Sequence, residues 1–150
     1  MATYTVSRDN VAQSTSSDFM TFLPASGHSI QIIEISVCGM GTASAANSLG
    51  VYRSTGGTTG SSALTPTPVG RITSSIPPAA STVVDTAWVS QPTLGGLILA
   101  LGCNSNGGIY RWVARPGEEI LCVNADEISL RGITGTGNIT VHVVFTEDPL

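Results

Sequence analysis

Two histidines, His28 and His142, are the only imidazoles in the 150-residue chain. Any nucleophilic Ser, Cys or Thr that needs an imidazole base must therefore use one of them. The period-2 pattern around His142 puts it in mid-strand on a polar face, where a histidine is solvated or meets a neighbour. His28 follows Gly27 at the start of a strand pattern and reads as a turn residue. No G-x-S-x-G elbow occurs. Two adjacent carboxylate pairs, Glu118-Glu119 and Asp126-Glu127, could in principle do acid–base work. Neighbours along a strand point to opposite faces, and both pairs abut turns, so they read as solvated hairpin ends. Cys38, Cys103 and Cys122 contain no CxxC pair, which leaves a zinc site unsupported. An odd number of thiols also argues against a complete disulfide framework. Cys38 and Cys122 sit in apolar strand patterns and read as buried free thiols acting as small hydrophobes. Gly135-Thr136-Gly137 precedes a strand, whereas a dinucleotide-binding loop must open a helix. A P-loop is excluded by the absence of any lysine. The expectation is a chain with no catalytic residues, no cofactor and no metal.

The elements that would carry these residues are all strands. Tyr4-Thr5-Val6 is a weak first strand, so residues 1–28 read as an N-terminal arm. Ser29 to Cys38 is a stronger strand, with Ile33, Ile35 and Val37 alternating against Glu34, Ser36 and Cys38. Ser48–Arg53, Ser81–Val84, Leu97–Leu101, Gly108–Val113, Glu119–Val123 and Ile128–Arg131 follow. The last is Asn138–Glu147, in which Ile139, Val141, Val143 and Phe145 share one face. Leu97–Leu101 is short and bracketed by glycines, which favours strand over helix. Ala43–Asn47 is the one candidate helical turn. Pro116-Gly117 suits the centre of a type II turn. Residues 54–68, rich in Gly, Ser, Thr and then Pro, read as a long flexible loop, and Ile72–Ala80 as a second. Short strands without intervening helices imply a sandwich or barrel. The expectation is one domain over residues 1–150: an all-β, jelly-roll-like β-sandwich of about eight short antiparallel strands.

Composition narrows the partners. Charged residues are 11% of the chain and the formal net charge is −4. Arg8, Arg53, Arg71, Arg111, Arg115 and Arg131 are scattered, so the clustered positive patch that nucleic acid requires is missing. The apolar stretch Leu94–Leu101 is too short to span a bilayer, and the N-terminus lacks the pattern of a secretory signal. The reading is a chain made in a cytoplasm that binds neither nucleic acid nor membrane. A Ser/Thr/Gly surface without lysine suits a packed, multi-subunit environment, since Ser and Thr lose little side-chain entropy on being covered. Trp, Tyr and Arg are enriched at interface hot spots, which nominates Arg53, Trp88, Arg111, Trp112, Arg115 and Arg131 as interface residues. Carboxylate partners for the arginines would be Glu34, Glu118, Glu119 or Asp126. Trp112 reads equally as core.

The strings Leu49-Gly50-Val51-Tyr52-Arg53-Ser54-Thr55-Gly56-Gly57-Thr58 and Ala63-Leu64-Thr65-Pro66 resemble small tailed-phage virion proteins. So do Pro77-Pro78-Ala79-Ala80, Ser81-Thr82-Val83, the run Arg111-Trp112-Val113-Ala114-Arg115-Pro116-Gly117-Glu118, and Gly135-Thr136-Gly137-Asn138-Ile139-Thr140-Val141. The likeness spans roughly residues 29–147. It implies a capsid decoration (cement) protein on the outer surface of the virion. Such a protein would be a homotrimer that bridges subunits of the major capsid protein and opposes the outward pressure of packaged DNA. A tail-fibre or baseplate domain recognising a host surface glycan is the alternative.

Overall fold

The computed structural model describes residues 1–60, 62–69 and 78–149. Arg71 and most of the apolar 72–80 segment lie outside the described residues. The described strands are β1 (Ala2–Ala12), β2 (Asp18–Leu23), β3 (His28–Met40), β4 (Ala46–Thr55), β5 (Thr58–Thr59), β6 (Ala63–Leu64) and β7 (Thr67–Pro68). They continue with β8 (Val83–Asp85), β9 (Trp88–Ser90), β10 (Thr93–Asn104), β11 (Asn106–Val113), β12 (Ile120–Val123), β13 (Glu127–Thr134) and β14 (Asn138–Pro149). All ladders are antiparallel. One sheet runs β11-β3-β14-β1-β7, with β12 also on β3; the other runs β10-β4-β13-β2-β8-β6; β5 and β9 form a small ribbon. The protein is an antiparallel β-sandwich. Eight of the described strands have six or more residues, and several are much longer than the short strands expected.

The core lies between the two large sheets because the alternation on each strand turns one apolar set inward. Ile139, Val141, Val143 and Phe145 of β14 are fully buried, as the period-2 pattern required. Phe145 stacks on Tyr4 of β1 at 5.6 Å and meets the edge of Phe22 of β2 at 5.5 Å. This aromatic cluster ties the two sheets together, and each such pair adds roughly 0.5–1.5 kcal/mol beyond its area.

Four expectations are corrected. Residues 1–28 are not an arm. β1 pairs with β14 along most of its length, and β2 lies between β13 and β8 with Phe19, Met20 and Phe22 buried. The 54–68 segment is not one free loop: β5, β6 and β7 pair with β9, β8 and β1. Ala43–Asn47 forms no helical turn, and Ala46 and Asn47 already belong to β4. Ile33 does not share the buried face of Ile35 and Val37. Consecutive β14 residues Val144 and Phe145 pair with Glu34 and Ile32, so β3 carries an extra residue at Ile33. Such a bulge inverts the phase of a strand. It makes Ile30 and Ile32 buried before it and Ile35 and Val37 buried after it.

One corner holds the sheets in relation to each other. β10 belongs to the second sheet and β11 to the first, and only Ser105 separates them. Ser105 accepts a bond from Gly41 N–H (2.6 Å), donates its own N–H to the Ala45 carbonyl (2.8 Å), and donates its hydroxyl to the Ala43 carbonyl (2.6 Å). Gly39 lies directly beneath: a Cβ there would sit 1.9 Å from the Asn104 carbonyl oxygen. The backbones meet this closely only because residue 39 has no side chain.

Candidate functional site

The six nominated interface residues do not converge. Arg111 and Trp112 are neighbours on β11 but face opposite ways. Trp112 pairs with the inward Ile35 and packs, half-buried, against the core. Arg111 stands on the outer face and grips Glu34 with two bonds, Nε–Oε1 at 2.6 Å and Nη2–Oε2 at 2.8 Å. Those bonds hold the Glu34 carboxyl below its usual range. Arg53 is exposed at the rim of β4 and donates to the Leu121 carbonyl on β12, bridging the two sheets. It also lines a shallow groove of about 130 Å³ with Thr55, Thr93 and Leu94. Arg115 is exposed at the turn, where Gly117 has φ +87° and Glu118 N–H bonds the Arg115 carbonyl, as the Pro-Gly pair foretold. Trp88 is half-buried in β9 against Gly57 and Pro92, so it is not a free surface anchor.

Arg131 pairs with none of the carboxylates expected for it. It turns away from solvent and pairs with Asp18 at 2.5 Å, with side-chain exposures of 13% and 0%. The other Asp18 oxygen accepts the Thr21 hydroxyl (2.6 Å) and the Ser129 hydroxyl (2.5 Å), and Ser129 also bonds Ser54 (2.6 Å). Nothing in the local sequence announces this network. Its members come from β2, β4 and β13, and only their adjacency in the second sheet brings them together.

Glu127 overturns its reading as a solvated hairpin end, since it is buried beside this network. One carboxylate oxygen accepts the Gly57 N–H at 3.2 Å; the other is buried with no partner among the described residues. Burial raises the Glu127 pKa above the usual 4.5. The Gly57 bond opposes that rise and the Asp18 charge adds to it. A raised folded-state value means that the native protein binds more protons than the unfolded chain between the two values. Stability therefore falls as pH rises through that window. Glu127→Gln should flatten this part of the curve, checked by melting temperature against pH for both proteins. Parallel curves would remove Glu127 as the cause.

Each histidine lies in the neighbourhood of a carboxylate without bonding it. On the outer face of the first sheet, Arg111, Ser36, His142 and Ser7 form one cross-strand row, with Glu34 one step along. Ser7 Oγ lies 2.7 Å from His142 Nδ1. A serine beside a histidine begins a nucleophilic pair. Here the two residues face each other across the paired strands β1 and β14. His28 and Glu147 share a depression of about 310 Å³ with Tyr4, Pro78 and Ser81. Both Glu147 oxygens are engaged there by Ser81 N–H (2.9 Å), Thr82 N–H (2.7 Å) and the Thr82 hydroxyl (2.5 Å). Tyr4 donates to the Pro78 carbonyl at 2.9 Å. These groups fasten residues 78–82 to the sandwich. Among the thiols, Cys122 is fully buried and its pKa is pushed up to about 12 by burial, while Cys38 is only half-buried. No cluster of metal-ligating side chains occurs among the described residues, and no described helix is long and apolar enough to cross a membrane.

Exposed apolar side chains are spread over several strands, among them Val83 of β8, Val89 of β9 and Leu121 of β12. Leu97 and Ile98 on β10, and Ile109, Tyr110 and Val113 on β11, all reach solvent. Both strands are sheet edges, and neither has a second ladder partner among the described residues. Compared with known protein families and with curated proteins, the chain has no significant match.

Proposed function

We propose that this chain is a structural virion protein: a phage capsid decoration protein that binds the outer capsid surface as a homotrimer and bridges subunits of the major capsid protein. The observation that carries the reading is the pair of long edge strands, β10 and β11, which carry a single charge, Arg111, and have no second ladder partner among the described residues. Soluble monomers guard such edges, and a protein that works by packing against neighbours exposes them. The strand order supports a jelly roll. Numbering the eight longer strands in chain order, the sheets read 6-3-8-1 and 5-4-7-2. First pairs with eighth, second with seventh, third with sixth and fourth with fifth, as in one long hairpin rolled into two layers. The buried carboxylates Asp18, Asp85, Glu127 and Glu147 all accept bonds that hold the fold, which fits a mechanical role.

Co-sedimentation of the purified protein with its cognate mature capsids tests this. Saturable binding is the expected result. No binding to capsids, together with adsorption to host cells, would replace the reading with a tail-tip receptor-binding domain.

A further inference from the structure

The junction of β10 and β11 reads Asn104-Ser105-Asn106-Gly107, and of the six asparagines in the chain Asn106 alone precedes a glycine. An asparagine carboxamide lies within reach of the backbone nitrogen of the next residue. Attack of that nitrogen on Cγ closes a five-membered ring. A side chain on the following residue crowds the nitrogen, and glycine has none. The other asparagines precede Val11, Ser48, Ser105, Ala125 and Ile139.

The fold leaves the Asn106-Gly107 pair open. Both residues are exposed. Asn106 pairs with Met40 and Ile109 with Cys38, so Gly107 and Gly108 stand opposite Gly39 alone. That is a bulge, and a bulge leaves one residue out of the ladder. Gly107 has φ +73°, in the left-handed region, and nothing lies within 4 Å of the place a Cβ would take. Among the described residues the Asn106 carboxamide has no hydrogen-bond partner, while its backbone N–H donates to Asn104 Oδ1 at 2.9 Å.

Asn104, two residues away, is held where Asn106 is free. Its Nδ2 donates to Ser44 Oγ at 2.8 Å and its Oδ1 accepts the Asn106 N–H. The nitrogen that would attack it, that of Ser105, donates to the Ala45 carbonyl at 2.8 Å. Asn47 is buried and bonded by Gln13, and the side chains of Asn10 and Asn138 bond each other.

We propose that Asn106-Gly107 is a self-modifying site, at which the folded protein converts Asn106 to aspartate and isoaspartate without an enzyme. The Gly107 nitrogen bonds to Asn106 Cγ, the Cγ–Nδ2 bond breaks, and Nδ2 leaves as ammonia with the Gly107 amide proton. Water then adds to one of the two ring carbonyls and breaks its bond to nitrogen. Opening at Cγ gives aspartate. Opening at the backbone carbonyl gives isoaspartate, in which the main chain runs through Cβ and Cγ. The new carboxyl ionises, so the net charge becomes one unit more negative than −4. The added backbone carbon of isoaspartate falls at the bulge, where β11 already carries an extra residue. This chemistry does not depend on the assembly reading above.

Peptide mapping by mass spectrometry, on folded protein incubated at mildly alkaline pH, tests it. Asn106 is expected to exchange its amide NH2 for OH about tenfold or more faster than any other asparagine. Isoaspartate at the site is confirmed by methyl transfer from S-adenosylmethionine with an isoaspartyl methyltransferase as probe. A more acidic species should appear in step on isoelectric focusing. Asn106→Gln must close a six-membered ring, so this variant should lose that species. Its far-UV spectrum should match the wild type, because the side chain is exposed. An Asn106 that stays intact in the folded protein overturns the proposal. So does an Asn104 that changes as fast as Asn106, or an acidic species undiminished in the variant. The mapping needs only the wild-type chain, so it decides the matter even if the variant does not fold.

Discussion

Asp18→Ala is expected to lower the unfolding free energy by about 3–5 kcal/mol, the cost of leaving a buried charge without its partner. For a chain of this length that is a fall of roughly 6–20 °C in melting temperature. Asp18 has no exposed side-chain surface, and its carboxylate receives Arg131, Thr21 and Ser129. Removing it strands the Arg131 guanidinium under Gln91 and Pro92 and leaves two buried hydroxyls short of an acceptor. The double variant Asp18→Leu, Arg131→Met should recover part of the loss, because no unpaired charge remains. A fall of less than about 2 °C in the single variant would mean that solvent compensates the pair, contrary to its burial.

The second large effect is expected at the sheet-joining corner. Gly39→Ala places a Cβ 1.9 Å from the Asn104 carbonyl oxygen and within 2.8 Å of Ser105 backbone atoms. Neither neighbour is a flexible side-chain end. The hairpin must shift, and the three bonds of Ser105 shift with it. A loss of about 3 kcal/mol or more is expected, at the upper end for overpacking. Gly102→Ala is the control: the nearest atom to a Cβ there is the Asn47 carbonyl oxygen at 4.0 Å, so a change within about 0.5 kcal/mol is expected. Chemical denaturation of both variants checks the contrast. Equal stabilities would show that the corner is not under steric control.

Both variants change residues whose importance the local sequence conceals. Gly39 follows a strand pattern and looks like its end. Asp18 sits in the 1–28 segment, which reads as an arm. Glu127 beside Asp126 looked solvated for the same reason: two adjacent acids after a turn usually are. A polar residue on a strand face is exposed only if nothing covers that face. Whether β5, β9 and the Gln91–Pro92 segment come to lie there is decided by chain segments far away in sequence. The partner of Arg131, Asp18, was missed in the same way, whereas the pairing of Arg111 with Glu34 was among those expected.

What the sequence by itself determined was the class of structure and the inward faces. Period-2 alternation is a local property of each strand, so β14 and most of β3 could be read directly, as could the turn at Pro116-Gly117. Tertiary structure alone decided which strands are neighbours. In a sandwich whose first strand pairs with its last, adjacency follows from long-range closure, and no local pattern encodes it. That closure buried Asp18 and Glu127, absorbed Arg131, shifted the phase of β3 at Ile33, and left β10 and β11 as the two long edges without a second partner among the described residues.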